Sequence, residues 1–390
     1  MAVTAAATNF VTFGILFSFG LFLTPLSDTF GASTGAVASV FSGSVFCYYI
    51  AGALGGLLGD RWGARPVVAF GAVALPLGLL GASTTGRLWQ LFALYVPLVG
   101  FAVGSCYSPL IGAVGRNVPA RRALAIAVVL TGVGGGTLVM PLVIRVLLDR
   151  FDWRATFRLL ALLAAAVLAL TAVVAADRGR DGGGRTGIVG SMFRSRPLRR
   201  LYLSIVLIAP GFYAPLAFLN DYAVDRGIGA GRAALLVATI GLGSVASRIA
   251  FGATAQRFGP MRQYRFSHAL FLLALVCWLA ADRPPTAPYA LLAIGAALHG
   301  LGWAAWVTAA PLVLADWFGV DDLGLAVGGF YTGLGVGALI GPPISGSIID
   351  AAGYRPALVL VVATTAASLA VLLWPEPEVR TRLRPRRRCG

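Results

Sequence analysis

The chain runs to 390 residues, of which 58% are hydrophobic and 12% charged, and it carries a formal net charge of +16. A composition so apolar excludes a soluble globular domain, and apolar runs of about twenty residues, unbroken by polar alternation, exclude a transmembrane β-barrel. The charge does not signal nucleic acid: all 31 basic residues are arginine, scattered over short segments where membrane topology and anionic headgroups explain them.

Each apolar run, read against its Gly, Pro and Arg punctuation, predicts a membrane-spanning helix: near 9–27, 35–58, 66–84, 89–114, 122–147 and 156–176, then 201–223, 233–255, 265–281, 287–314, 323–348 and 356–374. The expected fold class is an all-α polytopic membrane protein of twelve transmembrane helices in two pseudo-symmetric six-helix halves, residues 1–176 and 201–374. A Gly- and Arg-rich central loop, 177–200, joins them, and a basic tail, 375–390, follows. If the N-terminus is cytoplasmic, the loops and tail on that side hold 21 arginines against nine on the other. The positive-inside rule then places both termini and the central loop in the cytoplasm, with the chain in the plasma membrane. The first span has no basic n-region and no clear cleavage site, so it is expected to be retained. Cys47, Cys106, Cys277 and Cys389 have no metal-ligand spacing and read as small apolar filler. No metal or cofactor is expected, and the fold needs no partner chain, so a monomer in the lipid bilayer suffices.

In chain order, the first chemical signal is the turn between spans two and three, Gly56-Leu57-Leu58-Gly59-Asp60-Arg61-Trp62-Gly63-Ala64-Arg65. Its glycines permit close helix approach and a tight turn, while Asp60 suits a helix N-terminus or a neighbouring arginine. Gly56, Asp60, Arg61, Gly63 and Arg65 thus form a candidate conformational latch, echoed weakly by Gly252, Arg257 and Gly259, with Gln256 in place of the acid. Span four offers Tyr107, whose phenol at membrane depth wants a hydrogen-bond partner. Span five contains Thr131 and a run of glycines. Asp221, at the outer end of span seven, is a candidate proton carrier or a solvated cap.

Span eight holds Arg248. An arginine within a span costs about 2.5–3.5 kcal/mol on insertion scales, so it is expected to face a cavity or a partner, snorkelling being the alternative. Its planar fork matches the two oxygens of a carboxylate, and its permanent charge anchors an anion without carrying a proton on and off. In span nine, His268 is placed near the cytoplasmic mouth. In span ten, His299 is the main candidate for proton coupling, because an imidazole titrates in the physiological range; Trp303 follows on the same span. Tyr331 and Thr332 in span eleven complete the candidate substrate-binding set of Arg248, Tyr107, Tyr331, Trp303, Thr131 and Thr332.

Leu124 to Arg154 is written again from Leu325 to Arg355, at a constant offset of 201 residues. Thr131, Gly132, Gly134, Gly136, Pro141 and Asp149 recur as Thr332, Gly333, Gly335, Gly337, Pro342 and Asp350. Parallel repeats of this kind belong to transporters whose halves rock about a central site.

The span two–three motif resembles the conserved loop of the major facilitator superfamily. Within it, the chain is similar over most of its length to the monocarboxylate transporter family and its bacterial relatives. Three phrases carry that likeness: Gly100-Phe101-Ala102-Val103-Gly104-Ser105-Cys106-Tyr107-Ser108-Pro109, Ala120-Arg121-Arg122-Ala123-Leu124-Ala125, and Gly243-Ser244-Val245-Ala246-Ser247-Arg248-Ile249-Ala250-Phe251-Gly252, together with Asp152-Trp153-Arg154. The resemblance implies that Arg248 binds the substrate carboxylate. The chain departs from the family in lacking the first-span acidic, glycine and tryptophan signature and any lysine in span one. It also has Ser244 where some members carry an acid.

The expected function is secondary active transport of a small organic anion, a monocarboxylate moving with a proton by alternating access. Alternatives are efflux of a drug or natural product and organic-anion exchange. The Gly-Pro motif of proton-driven drug antiporters is absent from span five, which reads Val139-Met140-Pro141, and stands instead at Gly341-Pro342. Exchange of dicarboxylates would favour a second buried cation, which span eleven lacks. No Walker, HExxH or nucleophile-elbow motif points to an enzyme.

Overall fold

A computed structural model of the chain describes residues 1–117, 122–175, 196–252, 259–282, 288–318 and 323–374. These residues are helical almost throughout, and no strand occurs among them. The first span is broken into α1 (Ala2–Phe17), a 3₁₀ turn (Phe19–Phe22) and α2 (Leu23–Phe30), bent by 43°. The first half continues with α3 (Thr34–Trp62), α4 (Ala64–Ser83), α5 (Leu88–Asn117), α6 (Arg122–Arg150) and α7 (Trp153–Val174). The second consists of α8 (Arg196–Asp225), α9 (Ala230–Gly252), α10 (Pro260–Ala281), α11 (Tyr289–Phe318), α12 (Leu323–Ala352) and α13 (Tyr354–Leu373). Eleven of the described helices are long and apolar enough to cross a membrane, twelve with the bent pair taken as one span.

The first span is longer than the 9–27 expected and is not straight. The break at Ser18 turns the backbone so that Gly20 presses on α8, where a Cβ at 20 would stand 2.6 Å from the Leu216 carbonyl oxygen. Several other helices overrun their apolar cores: α3 reaches Trp62, α5 Asn117 and α11 Phe318. Helix α8 starts at Arg196, taking in residues assigned above to the central loop. Hydropathy marks where lipid begins, whereas a helix continues past it into the headgroup layer as long as its backbone stays paired. Residues 176–195 and 375–390, most of the expected loop and the tail, lie outside the described residues.

The sequence repeat is also a structural repeat. Helices α6 and α12 begin at positions 122 and 323, and the helices after them begin at Trp153 and Tyr354. Both hairpins are tied in the same way. Arg154 donates to the Thr85 carbonyl at 2.7 Å, and Arg355 to the Asp282 carbonyl at 3.2 Å. The turns before α4 and α10 each use a glycine at positive φ, Gly63 at 86° and Gly259 at 84°, a conformation that only glycine adopts without strain.

Twelve crossings by the described helices, the bent pair counted as one, leave Ala2 and Leu373 on one side of the bundle, the termini side. The hairpin turns at Gly31, Gly227 and Gly353 lie on the far side. Large apolar side chains such as Phe70, Val73 and Leu77 of α4 and Leu162, Leu170 and Val173 of α7 are exposed, as lipid-facing surfaces require. Since lipid is as apolar as leucine, close packing and buried hydrogen bonds hold the helices together. Thr8 meets Thr171 at 2.8 Å, Ser247 donates to the Leu301 carbonyl at 2.8 Å, and Ser368 donates to the Ser204 carbonyl at 2.7 Å.

Candidate functional site

Where α1, α3, α5 and α6 of the first half face α8, α9, α11 and α12 of the second, they line a chamber of about 30 Å³. That is room for about two waters. Its walls are Phe13, Phe17, Tyr48, Tyr49, Tyr107 and Val133 on one side and Phe212, Arg248, Trp303, Trp306, Val307 and Tyr331 on the other. Nine of these twelve residues are aromatic, one is a cation, and none is a carboxylate.

Arg248 reaches the chamber because its helix is clasped from two directions. On one flank a Cβ at Gly241 would collide with the Leu138 backbone of α6, and on the other a Cβ at Gly243 would stand 2.5 Å from the Ala297 carbonyl of α11. Only small residues let α9 sit this deep. The Ser247 hydroxyl then pins α9 to α11. The guanidinium is half-buried, faces Tyr107 of the other half, and its Nη1 is buried without a hydrogen-bond partner. A buried cationic donor with no partner is costly unless a ligand or water completes it.

The aromatic walls are tied together across the interface between halves. The Tyr49 and Tyr213 hydroxyls lie 2.6 Å apart. Phe17 meets Trp303 edge-on with centroids 4.9 Å apart, and Tyr49 meets Tyr331 at 6.2 Å. Within the halves, Trp303 sits at 5.4 Å from Phe212, Trp306 at 5.3 Å from Tyr331, and Phe13 at 5.2 Å from Tyr107.

Of the residues singled out from sequence, Arg248, Tyr107, Trp303 and Tyr331 are brought together here. Thr332 is close but not part of the wall: it donates to the Gly329 carbonyl at 2.7 Å and lies 3.1 Å from the Tyr202 hydroxyl. Thr131 is a correction. It is exposed on the outer face of α6 with Val128 and Val139, and its hydroxyl turns back onto the Ala127 carbonyl at 2.8 Å. Helical register decides this, since Val133, two residues on, is the one that faces the chamber.

His299 is fully buried between Phe271, at 4.9 Å, and Phe212, at 5.9 Å. It stands behind Phe212 from the chamber. Its ring approaches the Phe212 carbonyl, yet neither ring nitrogen meets hydrogen-bond geometry. His268, expected at an interfacial mouth, is instead buried, with Nδ1 2.8 Å from the Tyr264 carbonyl oxygen and its ring 4.6 Å from that of Tyr264. Asp221 lies far from the chamber, at the far-side end of α8, where it accepts from the Thr24 hydroxyl at 2.9 Å.

At the expected latch, Arg61 and Arg65 are exposed, and the Asp60 side chain lies outside the described residues, as do Gln256 and Arg257. The glycines before the turn serve packing. A Cβ at Gly59 would stand 2.9 Å from Pro109 and one at Gly56 3.7 Å from Ser108, both on α5.

On its far side the chamber is shut by contacts between halves. Asp350 of α12 accepts the Thr34 and Gly35 N–H groups at the start of α3 at 3.1 and 3.0 Å. A Cβ at Gly346 would stand 2.6 Å from the Gly35 Cα, whereas one at Gly328, near the termini side of the same seam, would have 3.7 Å to Ala53. The seam is tightest at its far end.

Sequence reasoning missed Phe13, Phe17, Tyr48, Tyr49, Phe212 and Trp306. The available signal was their depth: each falls near the middle of a span, in both halves, with Tyr48 and Tyr49 adjacent.

Comparison with known proteins fits this geometry. A family model described as Major Facilitator Superfamily matches residues 5–290 and 269–388. Monocarboxylate transporter 11 of Mus musculus is 31% identical over 377 residues, covering 93% of this chain and 83% of the relative. Agnestins efflux protein AgnL12 of Paecilomyces divaricatus is 25% identical over 351 residues, covering 89% and 79%. The crystal structure of nucleoside transporter NupG superposes with a TM-score of 0.77 at 13% identity, covering 95% of this chain and 97% of that one, a likeness of fold.

Proposed function

The chain belongs to the Major Facilitator Superfamily of membrane transporters and is related to the monocarboxylate transporters, and from that premise we propose that it carries small organic anions, monocarboxylates above all, together with protons by alternating access. The observation that carries this reading is Arg248: a cation with an unpartnered buried nitrogen, set in the wall of a chamber between the two halves. A carboxylate arriving there accepts from the guanidinium fork and from the phenols of Tyr107 and Tyr331, replacing the water it leaves behind. The surrounding rings exclude solvent and strengthen that attraction.

Arginine holds the anion but not the proton. In this proposal His299 takes the proton, separated from the substrate only by Phe212, and Asp221 is the second candidate at the far-side gate. The termini side is cytoplasmic, with the arginine-rich loops facing anionic headgroups, and the membrane is the plasma membrane. Gly56, Asp60, Arg61, Gly63 and Arg65 bias the balance between inward-open and outward-open states, and the monomer is the working unit.

Uptake of radiolabelled pyruvate into proteoliposomes under an inward proton gradient tests the proposal. Gradient-stimulated uptake is expected in the wild type, falling by about thirtyfold or more in Arg248→Ala and losing its pH response in His299→Ala. Uptake by Arg248→Ala at the wild-type rate sinks the anchor, and an unchanged pH response in His299→Ala removes that residue from coupling.

A further inference from the structure

Resting on that reading, the geometry points to a narrower substrate class: an aromatic monocarboxylic acid without an amino group, its ring held among the chamber rings while Arg248 takes its carboxylate.

Nine aromatic side chains around one guanidinium are more than an acid of two or three carbons can use. A small hydroxy or keto acid satisfies Arg248 but, between walls parted to admit it, leaves the opposite ring faces without partner atoms, and such unfilled contacts forfeit dispersion energy. A planar ring fills them. Phe17, Trp303 and Phe212 are already set edge to face, with centroids 4.9 and 5.4 Å apart, the arrangement an inserted ring extends. Phe17 belongs to the first half and the other two to the second, so a ring between them bridges the surfaces that alternating access separates.

Charge sets the second limit. No carboxylate lines the chamber among the described residues. An α-amino acid brings an ammonium that would be desolvated without an anionic partner and repelled by Arg248, a cost far above that of its uncharged analogue. The chamber of about 30 Å³ is too small for any ring, so binding separates the two walls. Phe17 and Trp303, which touch across the interface, are the pair that parts.

Binding to the purified full-length protein, followed by quenching of tryptophan fluorescence and by calorimetry, tests the inference with acetate, pyruvate, benzoate, phenylacetate and phenylalanine as probes. Benzoate or phenylacetate is expected to bind about tenfold or more tighter than acetate and pyruvate, with phenylalanine the weakest of the aromatic probes. Trp303→Leu, and independently Phe17→Leu on the other half, should lower the ratio of phenylacetate to pyruvate affinity by about fivefold or more. Thermal melting checks that each variant is folded. Pyruvate binding as tightly as phenylacetate overturns the inference and leaves anion transport standing. Phenylalanine binding as tightly as phenylacetate overturns the exclusion of amines. No binding of any acid by folded wild-type protein overturns the inference together with the proposed function.

Discussion

At the far end of the α3–α12 seam, Asp350 reaches across to the first N–H groups of α3. At the matching place on the α6–α9 seam, Asp149 turns back along its own helix to Arg145 at 2.6 Å, and Gly231 near the start of α9 has open space where a Cβ would be. The two aspartates are the same position in a duplicated helix. What differs is the residue four before each, Arg145 in the first copy and Gly346 in the second. Glycine lets α3 come close enough for Asp350 to cap it. Arginine instead supplies a nearer cation. One substitution in a repeat thus turns an inter-half latch into an intra-helix pair. The α6–α9 seam is held deeper, where Gly241 meets the backbone at Leu138. The halves are therefore joined on the far side by one capped seam, one uncapped seam and the Thr24–Asp221 hydrogen bond between α2 and α8.

Substitution tests that contrast, with far-side opening read as the rate at which an impermeant reagent modifies Ser33→Cys in a background freed of its native cysteines. Gly346→Val should have the largest effect, because its side chain would displace the α3 backbone. Overpacking of this kind costs about 1–3 kcal/mol, and labelling should speed by about tenfold. Labelling at the wild-type rate would mean that the seam is already open in the membrane. Asp350→Ala removes the cap at about 1 kcal/mol, so labelling should rise about fivefold; no change would show that backbone packing alone holds the seam. Arg145→Gly gives the first copy the residue of the second and frees Asp149 to cap α9. Labelling at Gly231→Cys should then slow by about twofold, and faster labelling would show that Arg145 itself supports the seam. The smallest effect belongs to Asp149→Asn. An exposed i,i+4 pair contributes about 0.3–0.5 kcal/mol, so labelling should stay within about twofold of wild type, whereas a change as large as that of Asp350→Ala would erase the contrast.

The twelve spans, the duplication and Arg248 were legible in the sequence because each is a one-dimensional signal: an apolar run, a fixed offset, a charge in a span. The chamber was half legible. Tyr107, Trp303 and Tyr331 stood out as polar-tipped rings at depth, while Phe13, Phe17 and Phe212 looked like ordinary packing until two halves were set face to face. Thr131 was misplaced because a glycine-rich helix gives almost no amphipathic signal to fix its register. His268 was misplaced because the termini-side end of α10 is covered by neighbours that sequence position does not reveal. The seam asymmetry was invisible for a related reason: the Arg145 and Gly346 difference matters only once it is known which helix lies opposite each.

The most direct measurement is calorimetric titration of pyruvate and benzoate into purified wild type and Arg248→Gln, with the folded state of both checked by thermal melting. Saturable binding of at least one acid in the wild type, weakened by about thirtyfold or more in Arg248→Gln, is the expected result. Equal affinity in the two proteins would contradict the role of Arg248 as the anion anchor.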